Sequence, residues 1–138
     1  MAERSEGGAV SGSVRTLLRL EALALLIAAL ALYTHLGTSW RMFAILFLAP
    51  DLSMLAYVAG PRVGAIAYNG AHATIAPIAV TLFGYLGNVP LAEAIGLIWL
   101  AHVGIDRALG FGLKYASAFG DTHLGRIGRA ARRSEQPA

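Results

Sequence analysis

The chain has 138 residues, of which 57% are hydrophobic and only 14% charged, with a mean hydropathy of +0.61. Soluble domains carry roughly 25% charged residues, so this composition excludes an ordinary soluble domain and points to a small integral membrane protein. The net charge is +3, carried by ten Arg and one Lys that sit at the ends of apolar runs, a pattern expected of membrane flanks rather than of a nucleic-acid surface, and with no Cys there are neither disulfides nor thiolate metal ligands.

In chain order, residues 1–14 read as a flexible lead, rich in Gly and Ser. Four apolar runs follow, at about 16–36, 40–59, 64–87 and 90–110. Each is near the ~20 residues that a helix needs to cross ~30 Å of hydrocarbon. They are too long for strands and lack period-two alternation. The first run has basic residues ahead of it and resembles a signal peptide in outline, but its apolar stretch is long and three more runs follow, so a retained span is expected. "GTS", "GPRV" and "NV" connect the runs, and such short links imply helical hairpins. The expected fold is therefore all-α, a membrane-spanning antiparallel four-helix bundle over residues 15–125, with a basic, disordered tail over 126–138.

Positive charge suggests the orientation. Arg4, Arg15 and Arg19 precede the first run, Arg62 lies in the second connection, and Arg107, Lys114, Arg126, Arg129, Arg132 and Arg133 close the fourth run and follow it. The positive-inside rule then puts both termini in the cytoplasm. Tyr33, Trp40 and Tyr85 fall near the opposite interface, where aromatic anchors belong.

At about 1.5 Å per residue, Glu21, Asp51, Asn69, His72, His102 and Asp106 all fall in the cytoplasmic half of the spans, within roughly 12 Å of that interface. Because the spans alternate in direction, this shared depth requires a different offset in each, and it predicts that the residues meet. His102 and Asp106 (i, i+4) share a helix face, as do Asn69 and His72 (i, i+3). Pro50 is expected to kink the second span beside Asp51. Ionisable groups at such depth face the bundle interior and mark function by default.

Imidazoles and carboxylates together suit a divalent ion such as zinc, iron or manganese. The candidate ligands are Asp51, His72, His102 and Asp106, with Glu21 as a further ligand or general base. His123, and Asp121 beside it, can fold back from the cytoplasmic side. Asn69, Arg62 and Lys114 are candidates for holding a substrate, the two cations for an anionic head group. The spacing matches neither the Glu-x-x-His pairs of ferritin-like sites nor His-Glu-x-x-His. Blander readings stand beside these: Asp106 with Arg107 as a solvated boundary pair, Glu21 paired with Arg19 or Arg62, the histidines as interhelical hydrogen-bonding groups, and His35 as an interfacial residue.

The blocks "RLEALALL", "FLAPDLSMLAYVAGPRVGAIAYNGAH", "GLIWLAHVGIDRALGFGLKY" and "DTHLGRIG" resemble the bacterial membrane family called domain of unknown function 4260, over about residues 15–128. They contain Glu21, Pro50, Asp51, Gly60, Tyr68, Asn69, His72, His102, Asp106, Gly110, Lys114 and His123. The resemblance implies a small multi-span protein of the bacterial inner membrane and brings no catalytic assignment. The chain is similar, more loosely, to bacterial membrane-bound metal-dependent hydrolases, whose full His-rich motif it lacks.

The functional expectation is a metal-dependent hydrolase acting on a lipid-like substrate in the bilayer. The rival is a non-enzymatic membrane protein: a small transporter, proton relay or accessory subunit, with the apolar outer half counting against a through-channel. A structural bundle whose polar groups only fix helix packing is the third reading. A homo-oligomer is compatible with so small a bundle, and no nucleic-acid partner is expected.

Overall fold

The computed structural model describes residues 10, 12–115 and 121–126. Most of the lead and the basic tail from residue 127 on lie outside the described residues, as does the side chain of Asp121. The fold is all-α with four helical segments, and three of these (Gly12–Leu36, Trp40–Ala59 and Pro61–Leu86) are long and apolar enough to cross a membrane. The fourth, Pro90–Leu109, carries Glu93, Asp106 and Arg107.

α1 (Gly12–Leu36) is a single helix of Leu, Ala and other good helix formers with no internal Gly or Pro. The second segment is not uniform. α2 (Trp40–Phe47) gives way to a 3-10 helix over Ala49–Ala59, with Pro50 in its first turn. Stretches of 3-10 helix longer than 3–4 residues are uncommon, so the kink expected at Pro50 extends into a change of helix type through Asp51. The third segment is also divided: α3 (Pro61–His72) ends at Ala73, whose backbone is extended, and α4 (Ile75–Leu86) begins after Thr74. Pro77 explains the break. It has no N–H to continue the ladder of α3, but it costs nothing in the first turn of a new helix.

α5 (Pro90–Leu109) is the axis of the molecule. Nine of its residues, from Ala94 to Gly104, are buried, and it packs along α1 and α4 with α2 touching one side. The 3-10 helix and α3 pack on each other as a pair. In lipid there is no hydrophobic drive between helices, so contact depends on close packing of small residues. A Cβ at Gly96 would strike Thr81 of α4, and one at Gly84 would strike the backbone at Ala92 and Glu93. Gly104 faces α1, where a Cβ would come within 3.1 Å of Leu26 and 3.2 Å of the Ala22 carbonyl. At one end, Tyr33, Trp40 and Phe43 form a ring cluster with centroids 5.1 Å apart, and the Tyr33 hydroxyl donates to the Ser39 carbonyl at 2.7 Å.

At the other end Gly110, at φ +97°, takes the left-handed conformation that closes α5, and the Phe111 N–H returns to the Asp106 carbonyl at 2.8 Å. The chain then runs back past α3 into a small hairpin, β1 (Asp121–Thr122) with β2 (Gly125–Arg126), which Lys114 joins through a bridge to Thr122.

Candidate metal centre

Four side chains from three elements converge at the C-terminal half of α5. Asp51 comes from the 3-10 helix, His72 from the last turn of α3, and His102 and Asp106 from successive turns of α5. The His72 and His102 Nε2 atoms lie 3.1 Å apart. Asp51 Oδ1 lies 3.4 Å from His72 Nε2 and 3.3 Å from His102 Nε2, and Asp106 Oδ2 lies 3.4 Å from each. All four atoms fall within 4.8 Å of one another.

Local structure aims each group. His72 donates from Nδ1 to the Tyr68 carbonyl at 2.9 Å, which leaves Nε2 as the unprotonated nitrogen of the neutral ring, facing the cluster. Its ring stacks on Tyr68 with centroids 3.7 Å apart, and its carbonyl accepts from Arg107 Nη2 at 3.2 Å. The edge of Phe47 meets His102 at 5.2 Å between centroids. His102 Nδ1 is buried and has no hydrogen-bond partner among the described residues. The imidazoles are 3% and 2% exposed while Asp51 and Asp106 are 34% and 20% exposed, so the carboxylates form the accessible edge.

A family model described as a domain of unknown function (DUF4260) matches residues 15–127. The chain belongs to that family. No curated protein and no solved structure matches it. Family membership and the three apolar spans make it a multi-pass protein of the bacterial membrane.

The donor set fits a divalent ion. A regular tetrahedron of donors about 2.0–2.1 Å from a zinc ion has edges of about 3.3–3.4 Å. Five of the six edges here measure 3.1 to 3.4 Å, and the sixth, between the carboxylates, is bounded at 4.8 Å. Two carboxylates and a lone pair on His72 also concentrate negative charge that needs a cation or protons at the centre. The cluster can therefore chelate a metal, and the His72–Tyr68 bond is the kind of outer contact that orients a ligating imidazole.

Other candidates from the sequence lie elsewhere. Glu21 and Arg62 are exposed, and Glu21 is not part of the converging set. His123 is built into the C-terminal turn: its backbone N–H donates to the Leu113 carbonyl at 3.1 Å and its Nδ1 accepts from the Leu113 N–H at 2.8 Å. Burial, and secondarily Arg107, push the His123 pKa down. Asn69 clamps the backbone of Lys114, donating to its carbonyl at 2.8 Å and accepting from its N–H at 2.6 Å. Lys114 is buried, its ammonium 4.9 Å from the Tyr68 ring centroid, and burial lowers its pKa. Three supporting residues carried no sequence signal of this role. Phe47 and Trp99, whose indole N–H donates to the Ala71 carbonyl beside His72, sit inside apolar runs, and Arg107 looked like a partner of Asp106 rather than a donor to the His72 carbonyl.

Proposed function

We propose that this protein is a membrane-embedded, divalent-metal-dependent hydrolase of a lipid-like substrate, with Asp51, His72, His102 and Asp106 as the ligands. The observation that carries the proposal is the near-tetrahedral spacing of four donor atoms drawn from three elements. The accessible carboxylate edge favours catalysis over a purely structural site, because catalytic metal sites keep a position open whereas structural ones are closed. A bound zinc, iron or manganese ion would supply Lewis-acid polarisation and activation of water.

The chain's own residues have definite tasks in this reading. His72 is held in one tautomer by the Tyr68 carbonyl, and Phe47 fixes the ring plane of His102. Asp51 and Asp106 neutralise the ion and, being partly exposed, border the approach for substrate. Arg107 and Lys114, just past the cluster on the chain, supply positive charge for an anionic group. The proposed topology is four antiparallel spans with both termini and the site on the cytoplasmic side, supported by the distribution of Arg and Lys.

To test the activity, purified protein is reconstituted into vesicles of bacterial total lipid, and released products are followed by mass spectrometry with zinc, with manganese and with a chelator. Metal-dependent release of a water-soluble or single-chain product that is lost in Asp51→Asn is expected. Absence of any product with every metal contradicts the hydrolase reading.

A further inference from the structure

A second feature borders the cluster. A cavity of about 350 Å³ lies between α2, the 3-10 helix, α3 and α5, lined chiefly by Leu46, Pro50, Ala71, Ile95, Ile98 and Trp99. Its volume is in the range of small-molecule pockets. The walls are almost entirely apolar, and their two polar groups are satisfied: the indole N–H of Trp99 donates to the Ala71 carbonyl, and the hydroxyl of Ser53, which also lines the cavity, donates to the Pro50 carbonyl at 2.7 Å. The rim residues Ala49 and Ile95 are exposed, so the cavity opens sideways, towards the bilayer core of a membrane-embedded chain.

The residues that line the cavity adjoin the clustered side chains along the chain. Pro50 precedes Asp51, Ala71 precedes His72, and Ile98 lies one turn before His102. Along α5 the order is fixed: cavity residues Ile95, Ile98 and Trp99 first, then His102 and Asp106, then Arg107, and after the helix Lys114. From Ile98 to His102 is about 6 Å along the axis, and from Trp99 to Asp106 about 10 Å. Arg19 joins the basic end, donating from Nε to the Ala108 carbonyl at 2.8 Å. Apolar cavity, donor cluster and cations thus follow one another in the order of hydrocarbon chain, polar linkage and anionic head in a lipid.

We propose that this cavity takes one hydrocarbon chain of an anionic amphiphile, entering laterally from the membrane with its polar end towards His102 and Asp106. Only the fate of that polar end rests on the metal-site reading; occupancy of the cavity by the chain does not. A chain in this orientation belongs to the leaflet nearest the C-terminal end of α5, the cytoplasmic one on the topology proposed above. The chain fills the cavity with contacts that water cannot provide in an apolar site, and it selects amphiphiles against soluble analogues of the same polar end.

The chain has two tryptophans, Trp40 and Trp99. In a Trp40→Phe background, fluorescence therefore reports Trp99 alone. Detergent-purified protein is titrated with long-chain fatty acids brominated either at mid-chain or next to the carboxyl group. Saturable quenching is expected, several-fold stronger for the mid-chain bromines, and it should persist in chelator. Filling the cavity by Ala71→Leu, or independently by Ala49→Phe, should weaken the apparent affinity about tenfold or more, with helicity and gel-filtration profile unchanged. Non-saturable quenching, quenching in both filled variants as strong as in the unfilled protein, or stronger quenching by the bromines next to the carboxyl group overturns the proposal. Metal content is measured on the same samples, so a protein that binds the chain but no metal defeats the metal-dependent reading while leaving the chain site standing.

Discussion

His72 and His102 present their Nε2 atoms to each other at 3.1 Å, with a carboxylate oxygen on either side. Two carboxylates and the Nε2 lone pair of His72 converging in a half-buried site are stable only around positive charge, which a metal ion or protons can supply. Substituting His102→Ala or Asp51→Asn should lower zinc affinity more than the 10–100-fold typical of losing an outer-shell contact, measured by competition with a chromophoric chelator. His123 makes a separate, pH-dependent prediction. Its Nδ1 must be unprotonated to accept the Leu113 N–H, and its folded pKa lies below the ordinary 6.5. Its contribution is therefore complete above pH ~6.5 and is lost as pH falls through the lower folded value. Hydrogen exchange at the Leu113 amide, corrected for intrinsic rates, should accelerate over that window while α5 stays protected. Asn69→Ala removes both bonds to the Lys114 backbone and should cost about 1–3 kcal/mol in a partly buried setting, read as earlier proteolysis after Gly110. Residue depth was legible in the sequence, which is why Asp51, His72, His102 and Asp106 could be grouped. Rotational phase was not: α1 is apolar nearly all round, so nothing in its pattern showed that Ala22 faces inward while its neighbour Glu21 faces out.

At the scale of elements, the four runs and their short connections were readable from hydropathy and length, but the subdivision of two of them was not. An apolar run gives the same signal whether it is α-helical or 3-10, and whether it is continuous or broken. The clues were the prolines. Pro50, Pro61 and Pro90 each occupy the first turn of a helix, and Pro77 lies in the first turn of α4. Taken as start signals rather than as kinks, they divide the second and third runs as observed. The break after His72 matters to the site, because it ends α3 where the imidazole meets α5. The packing of α4 on α5 depends on backbone approach at Gly84 and Gly96. Gly96→Leu should force these helices apart at a cost of at least about 1–3 kcal/mol, seen as a lowered unfolding midpoint in detergent and weakened metal binding. Ala92→Gly, which removes a methyl without adding bulk, should change metal binding little.

For the whole molecule, the distribution of small residues, cations and candidate ligands describes a bundle built around its most buried helix. α5 is both the most buried element and the bearer of two of the four clustered side chains, while the apolar faces of α1, the second segment and the third face outward. That arrangement suits a membrane: lipid solvates the outward apolar faces, while His102 and Asp106 on α5 are shielded by the helices packed around them. On the proposed topology, reporter domains fused at the N-terminus and the C-terminus should both report the cytoplasm, and one inserted at Asn88 the opposite side; N- and C-terminal fusions on different sides contradict it. On the proposed function, Asp51, His72, His102 and Asp106 together hold one metal ion. X-ray absorption spectroscopy on zinc-loaded, detergent-purified protein tests it most directly. Near-stoichiometric zinc with nitrogen and oxygen donors at about 2.0–2.1 Å, two of them imidazoles, is expected, with loss of that signal in the His72→Ala, His102→Ala double variant. Zinc at only trace level in the wild type, or an unchanged spectrum in the double variant, contradicts it.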